Sequence, residues 1–222
     1  MIYTYYIGVT QFEDKALFQE KLRLLSPYRQ QKTAQLKQEK DKYRSLGAGL
    51  VLDYALKEYG LRERHMEYVL GKWGKPSFKE YPEIYFSLSH SGAYAVCSIG
   101  ENPVGNDIER IRQGRLKVAD RFFTEEELAF VYDAQDEEEI TQRMFRIWTM
   151  KESFLKVTGR GMQLPLHGFS IVMEEGKVIQ VRQRFDDETY AMKEYGDIPG
   201  YRAAVCFQAA KEAAAHMEQV ML

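Results

Sequence analysis

Cysteine, net charge and long apolar runs are all scarce in this sequence, and each shortage removes a class of protein. Only two cysteines, Cys97 and Cys206, occur in 222 residues. Both sit inside apolar stretches, which excludes a disulfide scaffold or a cysteine-ligated zinc centre and predicts buried thiols in a reducing compartment. Lys plus Arg (31) nearly balances Asp plus Glu (33), for a formal net charge of −2. No overall basic field therefore draws the chain to nucleic acid or to a membrane surface, and any anion site must be built locally. No apolar run approaches the ~20 residues of a membrane-spanning helix. The opening Met1-Ile2-Tyr3-Thr4-Tyr5-Tyr6-Ile7 lacks the basic flank and small-residue cleavage pattern of a secretion signal and reads as a first strand, so a cytoplasmic location is expected. A Walker-type phosphate loop is missing as well, and Gly159-Arg160-Gly161 lacks the strand-loop-helix context of a dinucleotide fingerprint.

The composition that remains is globular, 45% hydrophobic and 13% aromatic. A chain of this length buries roughly 70% of its unfolded surface, in one large domain or two small packed ones. From Phe12 to about Tyr59 the sequence is rich in Lys, Gln, Glu, Leu and Ala and predicts mostly helix, with Gly60 as the stop. Tyr43, Leu46, Leu50 and Tyr54 recur at spacings of three and four, which leaves Arg44 on the flank of an apolar face. The breakers Gly71-Lys72-Trp73-Gly74-Lys75-Pro76 and Pro82 precede an alternating run, Ile84 to His90. In it Phe86, Leu88 and His90 share one face and Ser87 and Ser89 the other, and Ser91-Gly92 turns the chain into a second strand, Ala93 to Ile99. Pro103 to Glu109 reads as a third extended run. Thr124 to about Val157 reads as helix in two pieces parted near Asp136 and ended by Gly159-Arg160-Gly161. A hairpin of Phe169–Met173 with Lys177–Val181 follows, then an apolar run from Tyr201 to Phe207 and a terminal Ala-rich helix. Both halves run helix first and strands later, and Ala95-Val96-Cys97 is echoed by Ala204-Val205-Cys206, a faint sign of duplication.

Period two places Asp107 and Glu109 side by side on one strand face, where they repel unless a cation or donors compensate them; a solvated strand edge is the plainer reading. Glu152 adds a third carboxylate, on the helix of Trp148-Thr149-Met150-Lys151-Glu152-Ser153-Phe154-Leu155-Lys156. If it reaches the strand pair, the three form an oxygen-only site suited to Mg2+ shared with substrate phosphates. Glu152 and Lys156 also have the spacing of an ordinary helix-surface ion pair. Arg44, Lys75, His90, Lys151 and Lys156 are anion-binding candidates, each unremarkable alone and informative only if they converge. Thr124 and Glu127 have the spacing of a capping box.

Taken together, these segments resemble the 4'-phosphopantetheinyl transferases of the surfactin-synthetase-activating type. The resemblance is carried by Gly105-x-Asp107-Ile108-Glu109, Arg121-Phe122-Phe123-Thr124-x-x-Glu127, Trp148 to Lys156, Gly159-x-Gly161 and Leu164-Pro165-Leu166. Gly74-Lys75-Pro76, Phe86 to Ser91 and Arg44 support it. The resemblance implies transfer of 4'-phosphopantetheine from coenzyme A to a serine of an apo carrier protein, releasing adenosine 3',5'-bisphosphate, with Mg2+ required. It implies an α+β monomer of two similar halves related by a pseudo-twofold, residues 1–102 and 103–222, with coenzyme A between them. By the family pattern Asp107, Glu109 and Glu152 hold Mg2+, with Glu152 and Lys156 the catalytic pair. Arg44, Lys75, Ser89, His90, Lys151 and Lys156 contact coenzyme A, and Arg29 and Lys32 occupy two further basic positions. The acyl, peptidyl or aryl carrier is expected to dock between Phe122 and about Arg146, with Tyr132, Met144 and Phe145 as candidates for which buried core is the plainer reading. Asn106 stands where the family usually has an apolar residue. Its side chain points away from Asp107, so a structural role is expected. Two other functions use the same residues: Mg2+-dependent hydrolysis of a phosphodiester or pyrophosphate by water, and carrier binding by a relative that has lost catalysis.

Overall fold

The computed structural model describes residues 1–196, 198–208 and 215–220. Strand β1 (Ile2–Gly8) is followed by helices α1 (Lys15–Leu22), α2 (Pro27–Ala34) and α3 (Glu39–Leu56). The expected long helix is thus broken into three. Asp14 and Ser26 cap new starts with their side chains, and Pro27 occupies a first-turn position where its missing N–H costs nothing. A short hairpin, β2 (Tyr68–Leu70) and β3 (Pro76–Phe78), leads to β4 (Tyr85–Ser91), β5 (Tyr94–Gly100) and β6 (Val104–Arg110). Helices α4 (Leu116–Phe122), α5 (Glu125–Tyr132) and α6 (Glu137–Thr158) come next, then β7 (Ser170–Glu174), β8 (Lys177–Arg182), β9 (Tyr190–Tyr195), β10 (Tyr201–Gln208) and β11 (Ala215–Gln219). Gly60 and Gly159, at φ of +68° and +66°, close the helical stretches where the sequence predicts stops. No helix among the described residues is long and apolar enough to cross a membrane.

The fold is α+β. One sheet has the order β11-β1-β5-β4 and the other β6-β10-β9. The expected terminal helix is corrected by β11, which pairs in parallel with the free edge of β1, Tyr3 opposite His216 and Tyr5 opposite Glu218; residues 209–214 of that expectation lie outside the described residues. Helix α3 packs on the first sheet around Leu46, Val51, Cys97 and Ile99, and α6 packs on the second around Met150, Phe154, Ile171 and Cys206. A third apolar cluster, with Val96, Ile108, Tyr201 and Val205, joins them. The echoed tripeptides therefore do equivalent work. Each Cys faces its own helix and each Val faces the centre, as strand alternation requires. Both thiols are free and buried.

Edges β4 and β6 face each other without a backbone ladder. Three serines at period two supply the missing acceptors. The N–H groups of Asn106, Ile108 and Arg110 donate to the hydroxyls of Ser87, Ser89 and Ser91 at 3.0, 3.3 and 3.1 Å, so the β6 edge is satisfied inside the protein. Asn106 takes the structural role expected of it: its amide Nδ2 donates to Ser98 Oγ at 3.0 Å, and that hydroxyl bonds Thr4 Oγ1 at 2.8 Å.

Helix α6 lies so close to β6 that a Cβ on Gly105 would stand 2.1 Å from Ser153 O and 2.3 Å from Val157 N. Both are backbone atoms, and neither can yield without moving the helix. The opposite side of α6 is anchored by Lys151, which is fully buried. Its Nζ donates to both oxygens of Glu127, at 2.7 Å each, and to Phe169 O at 2.8 Å. Glu127 closes the expected capping box by accepting from Thr124 N and also accepts from Ile171 N. This corrects the assignment of Lys151 to coenzyme contacts, because its ammonium has no exposure and its protons are directed into the core.

Gly105→Ala is expected to cost about 3 kcal/mol of stability in urea unfolding. Gly196→Ala, where a Cβ meets nothing within 4 Å, should stay within about 0.5 kcal/mol of wild type. Lys151→Met strands a buried carboxylate and is expected to cost about 3–5 kcal/mol, part of which Glu127→Gln should restore in the double variant.

Candidate active site

The approach at Gly105 sets β6 carboxylates against α6. Asp107 is buried, and its Oδ1 accepts from Ser89 Oγ and from Lys156 Nζ, both at 2.8 Å. Its Oδ2 is buried with no hydrogen-bond partner. Glu109, two residues on and half-buried, accepts from Ser91 Oγ at 2.7 Å. Glu152 and Lys156 stand one turn apart on the side of α6 that faces them. Burial first, and then the Asp107 and Glu109 charges, raise the Glu152 carboxyl to about 7, with Lys156 opposing the shift. Burial also raises Glu109, against the Ser91 hydrogen bond and with Asp107 adding repulsion.

The three carboxylates named from the sequence are therefore brought within each other's field. Among the described residues no three carboxylate, imidazole or thiolate groups close into a finished metal cage, and Lys156 sits directly on Asp107. The donor set nevertheless fits a hard divalent cation. All its atoms are oxygens, one of them is buried and unpartnered, and the group holds more negative repulsion than a single lysine relieves.

From this cluster a cleft of about 570 Å3 runs toward the first sheet, walled by Lys156, Ser89, His90, Lys75, Lys32 and Arg29, with Tyr28, Trp73 and Leu155 as apolar sides. Arg29 is only 5% exposed, and its Nε and Nη2 have no partner. Lys32 is lowered by partial desolvation and then by Arg29. His90 is open to solvent on one side, yet crowding of its ring and the Arg44 and Lys156 cations lower it. Cations gathered this way, with two Arg29 nitrogens unpartnered and Asp107 engaged by Lys156, suit an anionic ligand.

Two basic residues are engaged otherwise than a phosphate contact requires. Lys75 Nζ donates to Val104 O at 2.8 Å and Lys156 O at 2.6 Å, clamping the start of β6 to the C-terminal end of α6, and burial there lowers it to about 8. Arg44 pairs with Asp41 and reaches Gly92 O at 3.5 Å beyond the β4–β5 turn. It lines a neighbouring depression of about 370 Å3 with Lys40, Arg110 and Arg112, not the cleft.

Beside Glu109 a groove of about 210 Å3 is bounded by Arg112, Arg115, Phe122, Met144, Phe145 and Trp148. Met144 and Phe145 reach it from buried positions, whereas Tyr132 is 45% exposed and bonds Asp120. Another hollow, about 680 Å3, lies near the start of α6, where Arg143 and Arg146 are spent on Glu139 and Glu194. None of the three clustered carboxylates lines it. Sequence reasoning missed Ser91; its signal is the repeat Ser87-x-Ser89-x-Ser91 on a strand opposite an edge that needs acceptors.

Residues 103–206 match the family model described as the 4'-phosphopantetheinyl transferase superfamily. The chain is 31% identical over 200 residues to the 4'-phosphopantetheinyl transferase Sfp of Bacillus subtilis (strain 168), covering 88% of this chain and 89% of that protein. It is 30% identical over 207 residues to the 4'-phosphopantetheinyl transferase gsp of Aneurinibacillus migulanus, covering 93% and 86%. Among solved structures, a holo-(acyl-carrier-protein) synthase from Bacillus anthracis, in complex with CoA (3',5'-ADP), aligns with 49% of this chain and 96% of its own, at a TM-score of 0.42 and 16% identity. The family-model match spans both β6, with Asp107 and Glu109, and the α6 turn of Glu152 and Lys156, and likeness to the relatives runs almost end to end: this chain belongs to the 4'-phosphopantetheinyl transferase superfamily.

Proposed function

We propose that this protein transfers the 4'-phosphopantetheine arm of coenzyme A to a serine hydroxyl of an apo acyl or peptidyl carrier protein. The observation that carries this reading is the position of Asp107, Glu109, Glu152 and Lys156 at one end of a cleft that Arg29, Lys32 and His90 also wall. The cleft cations Arg29, Lys32 and His90 bind the phosphates of coenzyme A, and Lys75 keeps the end of α6 against the cleft wall. Asp107, Glu109 and Glu152 hold Mg2+, which when bound neutralises charge on the pyrophosphate.

In the transfer the serine Oγ–P bond forms and the P–O bond to adenosine 3',5'-bisphosphate breaks. Glu152 Oε receives the serine proton, its carboxylate standing on the side of α6 that faces the acidic cluster. The Lys156 ammonium, already directed into the cluster, stabilises the charge that develops on the leaving phosphate. The carrier delivers its serine past the groove beside Glu109, where apolar Phe122 and Trp148 and the exposed Arg112 and Arg115 suit a helical domain with acidic flanks. We further propose that the protein works as a monomer in the cytoplasm, with residues 1–102 and 103–222 supplying opposite walls of the cleft.

Intact-protein mass spectrometry of an apo carrier with coenzyme A and Mg2+ should show a gain of one phosphopantetheine. EDTA should abolish it and Glu152→Gln should slow it about 100-fold or more. Phosphopantetheine released to water, with the carrier mass unchanged, would mark a hydrolase instead.

A second expectation concerns pH. Glu152 binds its proton more tightly in the folded state than in the unfolded one, about 7 against 4.5, so its effect on stability worsens as pH rises through that window and is fully adverse above it. Mg2+ relieves this repulsion. In thermal melts it should therefore raise Tm more at pH 8 than at pH 5.5, by about 2–4 °C for each kcal/mol relieved. Equal shifts at both pH values would contradict the coupling.

A further inference from the structure

The serine junction between β4 and β6 does more than close a gap. Each of its hydroxyls accepts a backbone N–H from β6 and has one proton left to donate. Ser89 donates that proton to Asp107, at 2.8 Å, and Ser91 donates its own to Glu109 Oε2, at 2.7 Å. Ser87 accepts from Asn106 N in the same manner, but the residue that precedes this donor on β6 is Gly105, which has no side chain to take the proton. The same rung chemistry thus occurs once without a carboxylate and twice with one.

Ser91 is the informative case. Ser89 and Lys156 both fall on Asp107 Oδ1, so that carboxylate is held from two sides. Glu109 has a longer side chain with more rotatable bonds, sits next to the end of β6, and is open enough to swing toward solvent. Ser91 lies six per cent exposed in the junction, and the Arg110 N–H at 3.1 Å fixes where its oxygen sits. The proton it donates then points one way, toward Glu109 Oε2, leaving Oε1 available to a ligand. A donor that holds one carboxylate oxygen while the other binds a cation is the usual outer partner of a metal ligand.

We propose that Ser91 is a positioning residue for the divalent-cation site: its hydroxyl, locked by the Arg110 N–H, orients the Glu109 carboxylate before the cation binds. This rests on the reading of Asp107, Glu109 and Glu152 as the metal ligands. Ser91 lines neither the cleft nor the groove beside Glu109. Its effect travels through Glu109 alone, so it should alter cation affinity without altering the grip on coenzyme A.

The test is Mn2+ titration of the full chain, followed by electron paramagnetic resonance with saturating coenzyme A and no carrier, so that binding is read without turnover. Ser91→Ala should weaken Mn2+ binding about tenfold or more, with coenzyme A affinity held within about twofold. Ser91→Thr keeps the hydroxyl and should restore Mn2+ affinity to within about threefold of wild type. Ser87→Ala removes an equivalent rung that touches no carboxylate and should leave Mn2+ affinity within about twofold. Should Ser91→Ala not fold, Ser91→Cys, close in size but a weak donor, is read by the same criterion. Undiminished Mn2+ binding in Ser91→Ala, or an equal loss in Ser87→Ala, overturns the proposal. Wild-type protein that transfers phosphopantetheine yet binds no Mn2+ would overturn the metal reading together with this proposal, whereas Mn2+ binding without transfer would overturn the functional reading and leave Ser91 standing.

Discussion

Backbone contact between β6 and α6 at Gly105 is the constraint on which the site depends. Side chains on a strand and on a helix packed against it normally stand apart by the thickness of the layer between them. With no Cβ at Gly105, the helix backbone at Ser153 and Val157 enters that layer. Only then does Lys156 reach Asp107 with a 2.8 Å bond, and only then does Glu152 feel the strand carboxylates strongly enough to hold its proton to about 7. The helix cannot roll away from this contact. Its far side is pinned by the buried Lys151–Glu127 pair, and its C-terminal carbonyls are clamped by Lys75 from the β2–β3 connection. Three unrelated devices thus set one helix in place: an absent side chain, a buried ion pair and an ammonium on carbonyls.

Joining two sheets through serine hydroxyls has a different consequence from joining them through a backbone ladder. A ladder would bury both strand edges and leave side chains on β6 to find their own partners. The serine rungs satisfy the β6 N–H groups and still have protons to spend, and two of the three spend them on carboxylates. Structural closure and orientation of the acidic cluster therefore come from the same atoms. On the opposite face the Thr4–Ser98–Asn106 chain, extended by Tyr195, crosses the centre of the molecule and ties β1, β5, β6 and β9 together. In a low-dielectric interior such a chain favours one register, because a slip would add unpaired polar atoms to Asn106 Oδ1, which is buried without a partner.

Much of this was legible in local sequence, and what was not legible was long-range. Asp107 and Glu109 share a face by strand period alone, Thr124 and Glu127 form the box their spacing announces, and glycines stop the helices where they should. Lys151 and Lys156 could not be separated that way, since both lie on a helix of recognised pattern. They are roughly 140° apart around it, and only the partner 24 residues earlier in the chain, Glu127, decides that Lys151 faces the core. Arg44 was placed on the correct flank of its helix, but which depression it lines depends on the β4–β5 turn packed against it. The final strand was missed because its residues favour helix locally and the free edge of β1 overrides that preference.

The molecule holds two opposed concentrations of charge at the ends of one cleft, and neither is neutralised by the protein. At one end three carboxylates share a single lysine; at the other a buried guanidinium has two nitrogens without partners and depresses its lysine neighbour. Lys75 ties β6 to the end of α6, and the serine junction ties β6 to β4, so the elements that carry the cleft walls are bonded to one another. A ligand that carries phosphates along its length satisfies the basic end directly. At the acidic end, on the proposed reading, its pyrophosphate would face the carboxylates, and a cation between them would relieve that repulsion. On that reading the charge distribution would make cation and phosphate ligand cooperative, each favouring the other by the same factor. The equality of the two factors is thermodynamic necessity; what the uncompensated charge at each end would set is the size of the coupling.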